Sequence, residues 1–327
     1  VSTSVLRVGT RASRLALAQT GQMAERLRQA GHEVVIETIS TRGDTRGDQP
    51  VAVLGNDGVF VRELERALLD RRIDVAVHSL KDMPTAPVDG LVIACVPSRA
   101  TPFDAFVSHT HESLAALPSG AVVGTSSIRR VMQVAAVRPD LVIRPIRGNV
   151  DTRLGRLDAG DYDALVLAAA GLERLGFGDR VAALLEPPGF WPAVGQGALG
   201  LQVRADDDMA REAVAVLDDA DTHLAVLAER SCLAQLAGGC LVPVAGFATI
   251  QAGQLRLGAR VLEQRGHEIR EISVEEVVVI QGVSPAEVRG LAENCGATVA
   301  EKLLDAGAGD MLARMRAMVA SGAANQG

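Results

Sequence analysis

The sequence predicts an α/β protein that closes with a smaller α+β domain. Three observations carry this. At 327 residues the chain has room for two or three compact units at about 150 residues each. Its first two hundred residues alternate short β-branched runs with helical patterns, the signature of parallel strands joined by crossover helices. From about Asp218 the alternation stops, and strands group with strands and helices with helices.

Read in order, strands are predicted at Leu6 to Thr10, Val34 to Ser40, Asp74 to Leu80, Leu91 to Pro97, Ala105 to Ser108, Ala121 to Gly124, Leu141 to Arg147 and Ala164 to Ala169. The first two flank a helix with Leu17, Met23 and Leu27 on its apolar side, ended by Gly31 as a left-handed cap. A second helix follows Gly58, with Phe60, Leu64 and Leu68 at four-residue spacing. A seam near Pro97 to Pro102 starts a second α/β unit, and the Pro- and Gly-dense stretch Glu186 to Gly197 reads as a crossing segment or hinge. Ala198 to Arg204 is a further strand open to either unit. After a helix to Ala237 come strands around Val244 to Ile250, Leu255 to Leu262 and Glu268 to Val274, then helices from Pro285 onward. The resulting domains are 1–98 with 198–216, then 99–197, then 217–327.

Composition narrows the function. Apolar residues make up 48% and charged residues 22%, so a large core can form. Aromatics are only 2% and the net charge is −7, which argues against nucleic acid, whose binders need stacking platforms and a basic surplus. No stretch approaches a membrane span and the first residues lack a signal-peptide pattern, so a cytoplasmic protein is expected. Cys95, Cys232, Cys240 and Cys295 form no CxxC pair, and the histidines show no ligand spacing beyond His109 and His111, so no metal is assigned. Lysine occurs only at Lys81 and Lys302; any anion site must therefore be built mainly from arginine forks, which hold carboxylates bidentately and stay charged.

Three segments could carry chemistry. In DVAVHSLKDMP a buried strand delivers Lys81 and Asp82 at its carboxyl end, where open α/β sheets bind ligands. Taken alone, the pair reads rather as a solvated turn, and His78 as a satisfied packing residue. VGTSSIRR leads a strand through Thr125, Ser126 and Ser127 into a helix with Arg129 and Arg130; RPIRGNVDTR repeats the junction with Arg144, Arg147, Asn149 and Arg153. Free N–H groups, hydroxyls and guanidiniums together form an anion cradle. Either junction alone is explained by an ordinary N-cap with surface arginines, but two in succession, with Thr10, Arg11 and Ser13 after the first strand, favour a shared polyanion site. In LAGGCLVP, Gly238 and Gly239 place Cys240 on a tight loop where a thiol could bond covalently. The other three cysteines sit in apolar runs or helical patterns typical of inert core.

AVHSLKDMP, VGTSSIRR, IRGNVDTR, AVGQGALG and LAGGC occur in this order across most of the chain, which thereby resembles the porphobilinogen deaminase (hydroxymethylbilane synthase) family. The resemblance implies two type II periplasmic-binding-protein-like α/β domains plus the α+β domain, in a monomer. It implies head-to-tail condensation of four porphobilinogen molecules into hydroxymethylbilane with loss of four ammonia, on a dipyrromethane cofactor thioether-linked to Cys240. It makes Asp82 the catalytic residue. Arg11, Arg147, Arg153 and Arg174 become substrate ligands, and Lys81, Ser13, Thr125, Ser126, Ser127, Arg129, Arg130, Asn149 and Gln196 cofactor contacts. One departure is LGNDGVF, where Asp57 replaces a lysine that many members carry; Phe60 is retained.

The chemistry suits these residues. With two carboxylates per unit, a six-pyrrole chain brings about twelve negative charges together, and two unit charges at 4 Å interact by ~4 kcal/mol at an effective dielectric near 20. Permanent guanidinium charges answer that. An aspartate beside them must be partly buried if its protonated form is to be reached. A solute receptor closing on a carboxylated ligand is the competing reading, but it leaves the loop thiol without a purpose. A ligand-sensing transcription regulator lacks a visible DNA-reading domain.

Overall fold

The protein is described here by a computed structural model covering residues 5–39, 61–236, 243–266 and 268–320. Ser40, Asp57, Gly58, Phe60, Ala237 and Cys240 lie outside the described residues. The first hundred residues contribute β1 (Leu6–Thr10), β2 (Val34–Thr38), β3 (Val75–Ser79) and β4 (Leu91–Cys95). Then come β5 (Asp104–Val107), β6 (Val122–Gly124), β7 (Val142–Arg144), β8 (Ala164–Ala168), β9 (Ala183–Leu185) and β10 (Leu199–Arg204). The C-terminal part holds β11 (Val244–Gln251), β12 (Gln254–Arg265) and β13 (Glu268–Val279). Two compact units result: Val1–Ala100 with Gly197–His223, and Thr101–Gln196 with Leu224–Gly327.

The first unit is built on a sheet of order β2-β1-β3-β10-β4. β3 reads VAVHS with no polar alternation, as a strand covered on both faces must. One face packs on the helix Arg14–Gln29, where Met23 and Leu27 are buried. Leu17, expected on the same side, is 41% exposed. Six residues separate it from Met23, a rotation of about 240° in a helix of 3.6 residues per turn, so the two cannot share a face. Gly31 closes this helix at φ +94°, as the left-handed cap requires.

The α/β part of the second unit repeats the plan as β7-β6-β8-β5-β9. In both sheets three neighbouring strands are parallel, and a fourth, β10 or β5, is inserted antiparallel to its partners. The parallel pattern read from the alternation thus holds for the three neighbouring strands, while β5 runs antiparallel and β10, open to either unit in the sequence, joins the first sheet antiparallel. Each is the first strand after the chain changes unit, so it enters its sheet without a crossover helix of that sheet to reverse the chain. β9 was not expected: three residues, ALL, carry no β-branched signal. The Pro- and Gly-dense stretch starts largely exposed at Glu186 to Gly189 and is largely buried from Phe190 to Gln196. Phe190, Trp191, Val194 and Gln196 are buried, and a Cβ on Gly258 would fall 2.1 Å from the Trp191 ring. The crossing itself comes at Gln196 to Gly197.

The remainder of this unit is an antiparallel sheet, β11-β12-β13, packed on the helices Ala220–Gln235, Pro285–Asp305 and Ala308–Ala320 through one apolar cluster. Cys232 and Cys295 lie in that cluster and Cys95 in the core of the first unit. Burial pushes the Cys95 and Cys232 thiols up to about 12 and that of Cys295 to about 11, so all three are inert.

Beneath the first sheet, at the amino ends of its parallel strands, lies a buried ionic network. Asp74 accepts from Arg7 N (3.0 Å), Nε (3.0 Å) and Nη2 (2.8 Å) and from Arg204 Nη2 (3.0 Å), while Arg204 also pairs with Asp207. Burial raises the Asp74 pKa, but these hydrogen bonds outweigh it and hold the carboxyl below its ordinary value. A carboxylate with a depressed folded pKa stabilises the fold fully above its unfolded value, near pH 4, and loses that share as the pH falls through the folded one. Asp74→Ala should therefore cost about 3–5 kcal/mol in urea unfolding at pH 7, because Arg204 is left buried with less compensation. The difference from wild type should shrink as the medium is acidified below pH 4.

Candidate active site

In the first unit the carboxyl ends of β1 and β3 lie side by side, set by the parallel pairing of Val8 with Val75 and Gly9 with Ala76. After β1, Arg11 is half-buried, and Ser13 caps the helix Arg14–Gln29 by accepting from Ala16 N at 3.3 Å. Its hydroxyl hydrogen still leaves it one donor. After β3 the chain makes a single 3-10 turn, Leu80–Asp82. Leu80 and Met83 are buried on either side of Lys81 and Asp82, and Leu80 N donates to the Ala198 carbonyl at 3.1 Å. Two anchored apolar neighbours thus hold the polar pair outward. Lys81 is half-buried and Asp82 exposed, so the partial burial expected of Asp82 is not present in this unit by itself. His78 is buried with Nε2 3.1 Å from Gln202 Oε1, the packing role expected of it.

In the second unit the loops after β6 and β7 meet. Ser126 Oγ donates to the Ile146 carbonyl (2.7 Å) and accepts from Ile146 N (3.0 Å), fastening one junction to the other. Thr125 is buried, and its hydroxyl accepts from Ser127 N at 3.4 Å. Ser127 is the N-cap of the helix Ile128–Val137 and Asn149 that of Val150–Asp158, yet neither side chain makes a capping hydrogen bond. Two helix starts therefore present N–H groups with no cap acceptor, the polarity that suits an anion. Gly148, at φ +99°, makes the turn into the second helix; a Cβ there would meet Thr152 at 2.9 Å.

The arginines divide into two kinds. Arg129 and Arg130 are buried and converge on Asp104, a fully buried carboxylate at the first position of β5. Arg129 Nη1 reaches Asp104 Oδ2 (2.7 Å) and the Trp191 carbonyl (2.6 Å). Arg130 donates from Nε to Asp104 Oδ1 (2.9 Å) and from Nη1 to the Val166 carbonyl (3.1 Å). Gln196 completes the group, giving its amide to Asp104 Oδ1 (3.0 Å) and the Pro102 carbonyl (2.8 Å) and accepting from Arg130 Nη2 (3.4 Å). Burial would raise the Asp104 pKa, but the paired guanidiniums hold it far below the usual carboxylate range. Two cations on one anion leave a surplus positive charge. Arg153 adds to it: its Nε donates to the Gly148 carbonyl at 2.8 Å, and burial followed by repulsion from Arg130 lowers its pKa. Arg174 is likewise lowered by burial, with Glu173 opposing. Arg147, Asn149 and Ser126 are exposed.

Asp104 was missed in the sequence. The available signal was a lone acid inside the apolar run PFDAFV, since such residues are rarely buried unless paired. Hydroxyls and helix starts gather at the carboxyl ends of both sheets, and two guanidiniums on one carboxylate at the second, which defines an α/β protein with anion-suited polarity at its strand ends. Residues 6–212 match the family model described as porphobilinogen deaminase, dipyromethane cofactor binding domain, and residues 223–305 match the porphobilinogen deaminase C-terminal domain. The chain belongs to the porphobilinogen deaminase family, and porphobilinogen deaminase from Syntrophobacter fumaroxidans is 44% identical over 306 residues, covering 93% of this chain and 96% of the relative. It is accordingly a transferase (EC 2.5.1.61) of porphyrin biosynthesis that forms hydroxymethylbilane from porphobilinogen with a dipyrromethane cofactor. Among solved structures, the methionine-binding protein MetQ is 14% identical with a TM-score of 0.42, covering 65% of this chain and 89% of that one. A TRAP periplasmic solute-binding protein from Desulfovibrio salexigens is 11% identical with a TM-score of 0.40, covering 66% and 73%.

The residues present fit that cofactor. A dipyrromethane built from two porphobilinogen units carries four carboxylates, and the second unit offers surplus guanidinium charge beside two helix starts with no side-chain cap. The two kinds of arginine should separate on mutation. Arg129→Ala strips a cation from a buried carboxylate and should lower stability by about 3–5 kcal/mol in chemical denaturation. Arg147→Ala, at an exposed position, should stay within about 0.5 kcal/mol of wild type.

Proposed function

We propose that Asp82 carries the proton transfers of each condensation, that Cys240 is the point of cofactor attachment, and that the arginines hold the carboxylates of the growing chain. In its protonated form Asp82 gives a proton to the amine leaving the substrate, which departs as ammonia. As a carboxylate it then faces the cation left behind, and it accepts the ring proton displaced when the new carbon–carbon bond forms. When bound, dipyrromethane supplies a tethered pyrrole whose free α-carbon makes that bond.

Arg11, Arg147, Arg153 and Arg174 take the substrate carboxylates. Lys81, Ser13, Thr125, Ser126, Ser127, Arg129, Arg130, Asn149 and Gln196 serve the cofactor. The observation that carries this reading is the convergence of two buried guanidiniums, Arg129 and Arg130, on the one carboxylate of Asp104, in a unit with two helix starts that have no side-chain cap, an arrangement that favours an incoming anion. Three domains, 1–98 with 198–216, 99–197 and 217–327, are supported by the three separate sheets and by the gap between the two family matches. The reading includes a cytoplasmic monomer without a nucleic-acid partner. Among the described residues no helix is long and apolar enough to cross a membrane.

Incubation with porphobilinogen should release ammonia and yield uroporphyrin I after spontaneous cyclisation of the product. Asp82→Glu should keep slight activity, whereas Asp82→Asn and Asp82→Ala should lose about 10²–10⁴-fold, the usual worth of a positioned acid–base group. Full turnover by Asp82→Ala would remove this residue from the chemistry. Intact mass should exceed the sequence mass by one dipyrromethane, and Cys240→Ser should lack that increment; an adduct retained in the serine variant would place attachment elsewhere.

A further inference from the structure

Tyr162 is the only tyrosine in the chain. It is buried just before β8, and its side chain reaches across two neighbouring strands. In the order β7-β6-β8 the ring passes Gly124, the last residue of β6, where an added Cβ would meet it at 2.9 Å. Its hydroxyl then donates to the carbonyl of Pro145, directly beyond β7, at 2.8 Å. Only a residue without a Cβ at the end of β6 leaves room for that reach. From the helix Val150–Asp158, Arg156 lies over the ring at 5.4 Å from its centroid, with its own Nε on Asp161 Oδ2 at 3.0 Å.

The carbonyl held by Tyr162 belongs to the peptide unit joining Pro145 to Ile146, and Ser126 Oγ holds the N–H of the same unit at 3.0 Å. Ser126 also donates to the Ile146 carbonyl at 2.7 Å, and the Arg144 carbonyl accepts from Thr125 N at 3.0 Å. Proline offers no N–H, so every main-chain polar group from the Arg144 carbonyl to the Ile146 carbonyl is tied. Three of these ties come from the loop after β6. The fourth, from Tyr162, grips the far end of the Pro145–Ile146 unit and stops its plane from turning about the Ser126 bond. Arg147 follows at once and is exposed, so the backbone beneath it sets its direction.

We propose that Tyr162 is a positioning residue for substrate binding, fixing the plane of the Pro145–Ile146 peptide and with it the point from which Arg147 leaves the loop. This rests on Arg147 taking a substrate carboxylate. A guanidinium grips a carboxylate through two parallel N–H bonds, so binding depends on the direction of the fork as well as on its charge.

The test is steady-state kinetics of the full-length holoenzyme with porphobilinogen. Tyr162→Phe removes the hydroxyl and keeps the ring against Gly124. It should raise KM about fivefold, the ratio that one neutral hydrogen bond is worth, with kcat within about twofold of wild type. Its Tm should stay within about 4 °C. Arg156→Gln, which strips the cation from the ring but leaves the hydroxyl, should keep wild-type kinetics. In an Arg147→Lys background, where the two-point fork is already gone, adding Tyr162→Phe should change KM by less than about twofold. A wild-type KM for Tyr162→Phe, a loss of kcat that merely follows the fraction unfolded, an equal rise in KM for Arg156→Gln, or the full effect on top of Arg147→Lys overturns the positioning role and leaves Arg147 assigned. An Arg147→Ala variant with wild-type KM and kcat removes Arg147 from substrate binding, and this inference falls with it.

Discussion

Holding like charges together away from water is the constraint on which the second unit depends. Guanidiniums crowded at the carboxyl end of a sheet repel one another, and burial removes the water that would screen them. Asp104 resolves this part-way. Fully buried, it draws Arg129 and Arg130 inward and fixes their forks, while Gln196 and the carbonyls of Trp191 and Val166 take further hydrogen bonds. Neutralisation is deliberately incomplete in its effect: one carboxylate cannot balance two cations, and Arg153 feels the remainder. The same carboxylate that lets two guanidiniums be buried together leaves their charge only half balanced.

Display of the functional groups follows a common device in both units. In the run Leu80, Lys81, Asp82, Met83, the outer residues are buried and the inner pair is turned away from the core. In the run Pro145, Ile146, Arg147, the buried Ile146 is pinned to Ser126, so Arg147 must project. Close backbone approach makes this possible. A Cβ on Gly124, at the end of β6, would fall 2.5 Å from Leu165, and one on Gly200 2.5 Å from Leu80. Larger residues at these points would push apart the layers that set the height of the turns.

How much of this was legible in the sequence follows from the range of each interaction. Strand positions emerged because local β-branched runs encode them, and the two strand-to-helix junctions after β6 and β7 because hydroxyl, arginine and helix start are neighbours in the chain. Leu17 was misplaced by reading apolar character without the angle per residue. The antiparallel entries of β5 and β10 depend on chain crossings that local pattern does not record. Asp104 is the most instructive omission. Its partners are 25 and 26 residues away and Gln196 is 92 residues away, so no local motif joins them, although the motif residues themselves were named. Composition marked the Pro- and Gly-rich stretch as a crossing segment but not its packing: Trp191 is wedged over Gly258 with Arg260 above its ring at 5.5 Å.

Arginine is used in two opposite ways within one chain, and position along the strands distinguishes them. At the amino ends of the first sheet, Arg7 and Arg204 face Asp74 and Asp207, two cations on two anions, with the charges closed on themselves. At the carboxyl end of the second sheet, Arg129 and Arg130 share the single carboxylate of Asp104, and Arg153, held at the Gly148 carbonyl, is repelled by Arg130. Arg204 in the first group and Arg129 and Arg130 in the second are all buried, so burial alone does not separate the two uses. The local charge balance does. A closed network gains nothing from a visiting carboxylate, whereas an unbalanced one gains the missing partner. The sheet edge where helix starts already favour negative charge is the edge at which the balance has been left open.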